Sequence, residues 1–351
     1  MDQLRAHKIG KLISAFCFLS LLGPASIARA NDFVEGVNAF NSGQYDIALR
    51  ILTPLAEEGN VAAQFDIGAM YYYGRGVPQD YAAAAGWFMA AAENDYSPAQ
   101  AELGRMYSSG FGVERNYKAA LTWFTRASEQ GNVSAQAALG NMYYEGSGVE
   151  RDYAKALKWY SKAAEQGNAI AQSGLGNMYY NGNGTAQDHK LAAKWYSDAA
   201  EQGDAKAQVQ IGIMYDNGQG VAQDYSAARK WYAKAAEQGD ATAQNNLGAL
   251  YDKGHGVAQD YRLAAKWYAA AARQGEPTAQ LNIGTLYSNG TGVLQDFKKA
   301  HMWLNIAASQ GVNSAVNIRN IVERKMSSGQ IETAQQMAQR CMSSNYKQCD
   351  D

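Results

Sequence analysis

Between residues 133 and 168 the chain reads VSAQAALGNMYYEGSGVERDYAKALKWYSKAAEQGN. Ala135, Leu139, Met142 and Tyr143 recur at helical spacing, which predicts an amphipathic helix A. Gly146 and Gly148 end it, because a residue without Cβ enters the left-handed region at little cost. Asp152 is placed to cap a second helix, B, by accepting from its unpaired N–H groups. Tyr153, Ala156, Trp159, Tyr160 and Ala163 form the expected buried stripe of that helix. Gly167 stops helix B, and Asn168 can cap the next helix A. Gly140 and Ala156 are expected to let the two helices approach closely, with Trp159 and Tyr143 filling the space between successive pairs.

The unit recurs every 36 residues. Trp87, Trp123, Trp159, Trp195, Trp231, Trp267 and Trp303 keep that step, as do Tyr71, Tyr107, Tyr143, Tyr179, Tyr215, Tyr251 and Tyr287. Three glycine columns begin at Gly68, Gly74 and Gly76. The expected repeats are 61–96, 97–132, 133–168, 169–204, 205–240, 241–276 and 277–312. Such a period predicts an all-α fold, a right-handed α/α solenoid of stacked helix pairs in which no pair buries both faces alone. The Trp and Tyr columns are therefore expected to be core, which argues against a ligand-stacking role. Pro277 fits the first turn of its helix, where proline costs nothing.

The flanks depart from the period. Residues 31–60 read as an N-terminal capping pair, with Gly43-Gln44-Tyr45 as a connection about five residues shorter and Pro54 expected to kink the second helix. Residues 313–351 read as C-terminal capping helices and a tail, with Gly329-Gln330-Ile331 as the corresponding turn. Residues 1–30 have the form of a secretory signal peptide: basic Arg5, Lys8 and Lys11, an apolar run from Leu12 to Leu22, and Ala28-Arg29-Ala30 before the expected cleavage. That run is too short for an integral membrane anchor.

Composition narrows the partners. A chain with 47% hydrophobic and 18% charged residues is not disordered, and a net charge of −2 leaves no footprint for nucleic acid. Removal of the leader would make the charge −5 and leave two cysteines, Cys341 and Cys349. In an oxidising compartment these are expected to form a disulfide that staples the last helix, the alternative being two free thiols.

The units AQ-x-x-L/I-G-x-M/L-Y-x-x-G-x-G-V-x-x-D-Y and A-x-x-W-Y-x-x-A-A-x-Q-G resemble the Sel1-like repeat family, a subclass of tetratricopeptide-like solenoids. The resemblance covers residues 61–312, and the flanks look like ordinary tetratricopeptide units. It implies a non-enzymatic protein–protein adaptor, in exported bacterial members one that serves envelope, polysaccharide or signalling complexes or contacts host proteins. A periplasmic protein is the expected form, and the alternatives are a secreted or surface-exposed factor that binds host proteins and a cell-wall or β-lactam hydrolase. A cysteine-rich branch associated with β-lactam binding carries paired cysteines inside each repeat, and these seven repeats have none.

Chemistry is sparse. His189, His255 and His301 belong to different copies at different repeat positions, so neither a metal site nor a general base is expected. No nucleophile-elbow, zinc-protease or P-loop motif occurs, and the Gly-x-Gly loops follow helices, not strands. No cofactor is implied. The acids from Asp80 to Asp296 at the start of each helix B read as caps, a role that Asn116 fills in one copy.

What remains is a surface. In tetratricopeptide-like solenoids helix A lines the concave face, and the variable fifth, sixth, ninth, twelfth and thirteenth positions share one helical side. Arg105, Asn141 and Asn177 occupy ninth positions of consecutive copies, with Tyr72, Tyr73, Tyr144 and Tyr180 as expected exposed aromatic anchors. The expectation is a clamp for an extended peptide, the asparagines bonding its backbone and Arg105 pairing an acid. Further along, Val209, Ile213 and Leu281 are expected to make the face more apolar, with Asp216, Asp252 and Lys253 around them.

Overall fold

The computed structural model describes residues 24–349, and side chains from Arg29. Most of the expected signal peptide lies outside the described residues. Among those described there are 18 helices and no strand. A flanking pair, α1 (Pro24–Asn41) and α2 (Tyr45–Glu57), precedes seven A–B pairs. These are α3 (Val61–Tyr73) and α4 (Tyr81–Glu93), α5 (Ser97–Ser109) and α6 (Tyr117–Glu129), and α7 (Val133–Glu145) and α8 (Tyr153–Glu165). There follow α9 (Ala169–Asn181) and α10 (His189–Glu201), α11 (Ala205–Asn217) and α12 (Tyr225–Glu237), α13 (Ala241–Lys253) and α14 (Tyr261–Ala272), and α15 (Pro277–Asn289) and α16 (Phe297–Ser309). Helices α17 (Asn313–Glu323) and α18 (Ser328–Ser343) close the chain. The chain divides into two compact units, the first through Gln166 and the second from Gly167.

Local chemistry sets the helix ends. The Asp152 carboxylate accepts from Lys155 N at 2.9 Å, Asn116 accepts from Ala119 N at 3.0 Å, and Asn168 accepts from Ala171 N at 3.0 Å. Each such cap stabilises its helix by about 1 kcal/mol. Gly146 sits at φ +78°, where its N–H reaches Met142 O. Pro277 takes the first turn of α15.

Three polar and packing rules tie the pairs together. First, the glycine inside each A helix faces a large side chain on its B helix: a Cβ on Gly212 would fall 2.6 Å from Tyr232 Cε1, and one on Gly104 2.7 Å from Phe124 Cδ1. Second, that B-helix residue, the one after the Trp, is the buried aromatic: Phe88, Phe124, Tyr160, Tyr196, Tyr232 and Tyr268 all lie in the core. The Trp column itself is only half-buried in six copies, and only Trp303 is fully enclosed. The expected core role of the Trp and Tyr columns is thus corrected to a boundary role. The indole rings pack against the core and also meet cations, as Trp159 does with Lys162 at 4.7 Å and Trp231 with Lys234 at 4.2 Å.

Third, a buried glutamine ladder joins successive pairs. Gln208 donates to Ala200 O at 3.0 Å and accepts from Gln238 at 2.9 Å; Gln100 donates to Ala92 O at 3.1 Å and accepts from Gln130 at 2.9 Å. The first copy breaks the rule. Asn94 stands where the others have Gln and turns back to Ala90 O, so the buried Gln64 Oε1 finds no partner. Asp95 follows at φ +57°, a conformation that glycine holds in the other copies.

The flanking pairs are partly as expected. The α1–α2 connection has three residues against seven in a repeat, and α2 runs on through Pro54. At the other end the turn lies earlier than Gly329. Ser327 caps α18 in a reciprocal box with Gln330, so Gly329 and Gln330 are already helical. Cys341 and Cys349 are joined in a disulfide and both are buried. The tail it holds places Tyr346 Oη 3.3 Å from the Gln310 amide.

Candidate functional site

The variable positions of the A helices divide into three kinds. Four of the seven fifth positions are core, with Ala101, Ala137, Val209 and Asn245 buried, and the other three are half-buried. Val209 therefore does not contribute to an exposed apolar face, and Leu281 is half-buried against the core under α16. Most ninth and twelfth positions are half-buried, and Asn141, Asn177, Asp216 and Asp252 among them meet a tyrosine hydroxyl of helix B. Thirteenth positions, such as Tyr73, reach solvent.

In the first unit Tyr72 is a correction. It is 8% exposed, and burial raises its pKa. Its ring meets Tyr73 at 4.9 Å and Tyr81 at 5.0 Å, and the Arg105 guanidinium lies 5.0 Å from its centroid. Tyr73, Tyr81 and Arg105 enclose Tyr72, which supports Tyr73 from beneath. Arg105 is exposed but already paired, donating from Nε to Glu102 at 2.9 Å and from Nη2 to the same oxygen. Burial opposes its charge, and the attraction of Glu102 outweighs that, so its pKa rises.

The asparagines also have partners at home. Tyr160 Oη donates to Asn141 Oδ1 at 2.6 Å, and in the second unit Tyr196 Oη donates to Asn177 Oδ1 at 2.7 Å. Each carbonyl is thus held by helix B of its own copy. Only the Nδ2 amide is left to meet a ligand. Burial pushes the Tyr160 hydroxyl well above its ordinary pKa, so it stays a donor. Tyr144 is half-buried with its ring 5.4 Å from Tyr153, and Tyr180 lies 5.0 Å from His189 and donates to Gln219 at 3.1 Å. Ile213 is half-buried beside the cluster around Tyr232.

The second unit replaces this pattern in its middle copies. Asp216 and Asp252, at twelfth positions, lie 3.4 and 3.3 Å from the hydroxyls of Tyr232 and Tyr268. Burial raises the Asp216 pKa, against the opposing pull of the Tyr232 hydrogen bond, Lys253 and His255. Asn282 donates to the buried Asn245 at 3.1 Å.

One position escaped the sequence reading as a surface residue: the residue between the two loop glycines. Phe111 stacks on Tyr81 at 5.2 Å, His255 lies on Tyr225 at 4.4 Å, and the Arg75 guanidinium sits 5.2 Å from Tyr73 and 5.6 Å from Phe40. The signal was available, because this is an unrepeated residue between two repeated ones. The three histidines have separate surroundings, with His301 buried and its Nε2 2.8 Å from Glu323 Oε1. Among the described residues no group of His, Cys, Asp and Glu could hold a metal, and no helix is long and apolar enough to cross a membrane.

Seven helix pairs of nearly constant length, each joined by a loop that opens on a left-handed glycine, define the class of α/α repeat proteins. The Sel1 repeat model matches residues 61–96, 97–132, 133–168, 169–204, 205–240, 241–276 and 277–312, and the chain belongs to the Sel1 repeat family. A Sel1 repeat protein from Oxalobacter formigenes is similar at 35% identity and a TM-score of 0.62, over 70% of this chain and 96% of that one. A protective antigen present in uropathogenic Escherichia coli strains, displaying an SLR fold, is similar at 30% identity and a TM-score of 0.48, over 91% of this chain and 85% of that one. A comparison with curated proteins returns no match. Sel1 repeat proteins are generally protein–protein interaction scaffolds and typically non-enzymatic.

Proposed function

We propose that this protein is a scaffold of the bacterial cell envelope, periplasmic after removal of residues 1–30, that holds a segment of a partner protein along its A helices. The observation that carries this reading is the sorting of repeated from unrepeated residues. Glycine, glutamine and aromatic columns are spent on stacking, while the exposed and half-buried side of the A helices and the adjoining loop carry aromatic and polar residues that differ between copies. In the first unit that face offers Tyr73, Arg105, Tyr144 and the amide of Asn141; in the second it offers Asn177, Tyr180 and Ile213. Aromatic and arginine side chains of this kind dominate binding energy at protein interfaces. The buried disulfide and the basic–apolar start of the chain support export.

Arg105→Ala combined with Asn141→Ala tests the clamp: the yield of partner crosslinked in cells should fall severalfold with the fold intact. Unchanged capture would remove these residues from the interface. Fractionation with and without residues 1–30 tests the compartment. Protein in the medium instead of the periplasm would favour the secreted alternative.

A further inference from the structure

Within the first unit, five aromatic rings and two guanidinium groups form a continuous run. Phe40 and Tyr73 flank Arg75, Tyr73 meets Tyr72, Tyr72 meets both Arg105 and Tyr81, and Tyr81 stacks on Phe111. Tyr73 and Phe111 at the two sides are 43% and 45% exposed, so the run reaches solvent as an amphipathic ridge. The two arginines differ in one respect. Arg105 has Glu102, whereas the half-buried Arg75 guanidinium has no carboxylate or other hydrogen-bond acceptor among the described residues. It lies instead over two rings, which hold the group without consuming its N–H donors.

We infer that Arg75 is the anion anchor of this ridge, and that it recognises an extended partner segment in which an acidic residue lies beside an aromatic or aliphatic one. An arginine already held against two rings loses little freedom on pairing, and its planar edge matches a carboxylate with two parallel hydrogen bonds. Tyr73 and Phe111 supply apolar area for the neighbouring side chain. Arg105 joins the ridge through Tyr72, with its charge already matched by Glu102. The inference rests on the scaffold reading and gives its partner a chemistry.

An immobilised library of random heptapeptides, probed with the chain lacking residues 1–30, tests it. The peptides retained should carry Asp or Glu next to an aromatic or aliphatic residue. For the best of them, Arg75→Ala should weaken binding about five- to tenfold, and changing the peptide acid to its amide should do the same. The two changes together should cost no more than either alone, because each removes the same pair. Arg75→Lys should recover only part, since an ammonium lacks the planar edge. Retained peptides without acid preference, or an acid preference that survives Arg75→Ala with additive losses, would overturn this assignment and leave the scaffold reading standing. No retention of any peptide, together with no partner captured from the A-helix face in cells, would overturn both. Circular dichroism on each variant shows that the fold is kept.

Discussion

Copies one and two of the first unit and copies five and six of the second share a frame and differ in what they put on it. Both have the A-helix glycine against a B-helix aromatic, the left-handed loop glycines and a helix B cap. On that frame the first pair of copies carries Tyr72, Tyr73, Arg75, Arg105 and Phe111, a ridge of rings and cations. The other carries Asp216, Asp252, Asn245 and Asn246, with tyrosine hydroxyls turned toward the carboxylates. Phe88 and Phe124 need no polar partner on helix A, whereas Tyr232 and Tyr268 do. The chemistry of the face is thus coupled to the core aromatic beneath it. An unrepeated surface residue can have a structural duty, which limits the atoms it can offer a partner.

The largest expected effect tests whether the frame is uniform. Trp303→Ala removes an enclosed indole and should cost about 4 kcal/mol, whereas Trp159→Ala, half-buried under Lys162, should cost about half of that in the same urea titration. Equal losses would return the Trp column to the core in every copy. Next, Gly104→Val and Gly212→Val force a side chain into Phe124 and Tyr232 and should each cost about 3 kcal/mol. A clear difference between them would show that the two regions do not share one frame.

Smaller changes sharpen the contrast. Asn94→Gln completes the glutamine ladder of the first copy and should stabilise the chain by about 1 kcal/mol, by giving Gln64 Oε1 a donor. A neutral result in thermal melts would mean that the ladder adds nothing to stability. Asp216→Asn bears on the second region. Its folded pKa lies above the ordinary 3.8, so its favourable contribution is complete below that value and is lost as pH rises through the raised one. The amide removes the charge, and should add less than about 1 kcal/mol at neutral pH while flattening stability above pH 4. A pH–stability curve unchanged by the substitution would show that burial does not disfavour this carboxylate.

The frame was legible because it is written seven times. The step between Trp87 and Trp303, the caps at Asp152 and Asn168 and the left-handed Gly146 all follow from local rules that need no tertiary knowledge. What depended on the opposite helix was not legible. Nothing local says that Tyr160 is enclosed and Trp159 is not, since the two are adjacent on helix B and the choice is made by Gly140 across from it. The same limit made Tyr72 look like an anchor: its spacing puts it on the variable side, but Tyr81 and Arg105 cover it. Arg75 and Phe111 were passed over because a loop has no periodicity to reveal which way its residues point.

The central claim is that partners meet the A-helix face. A photo-crosslinking residue placed at Tyr144, and separately at Lys158 on the exposed side of α8, tests it in living cells. The account predicts a discrete crosslinked species from Tyr144 and none from Lys158. Equal labelling from both positions, or labelling from Lys158 alone, would contradict it.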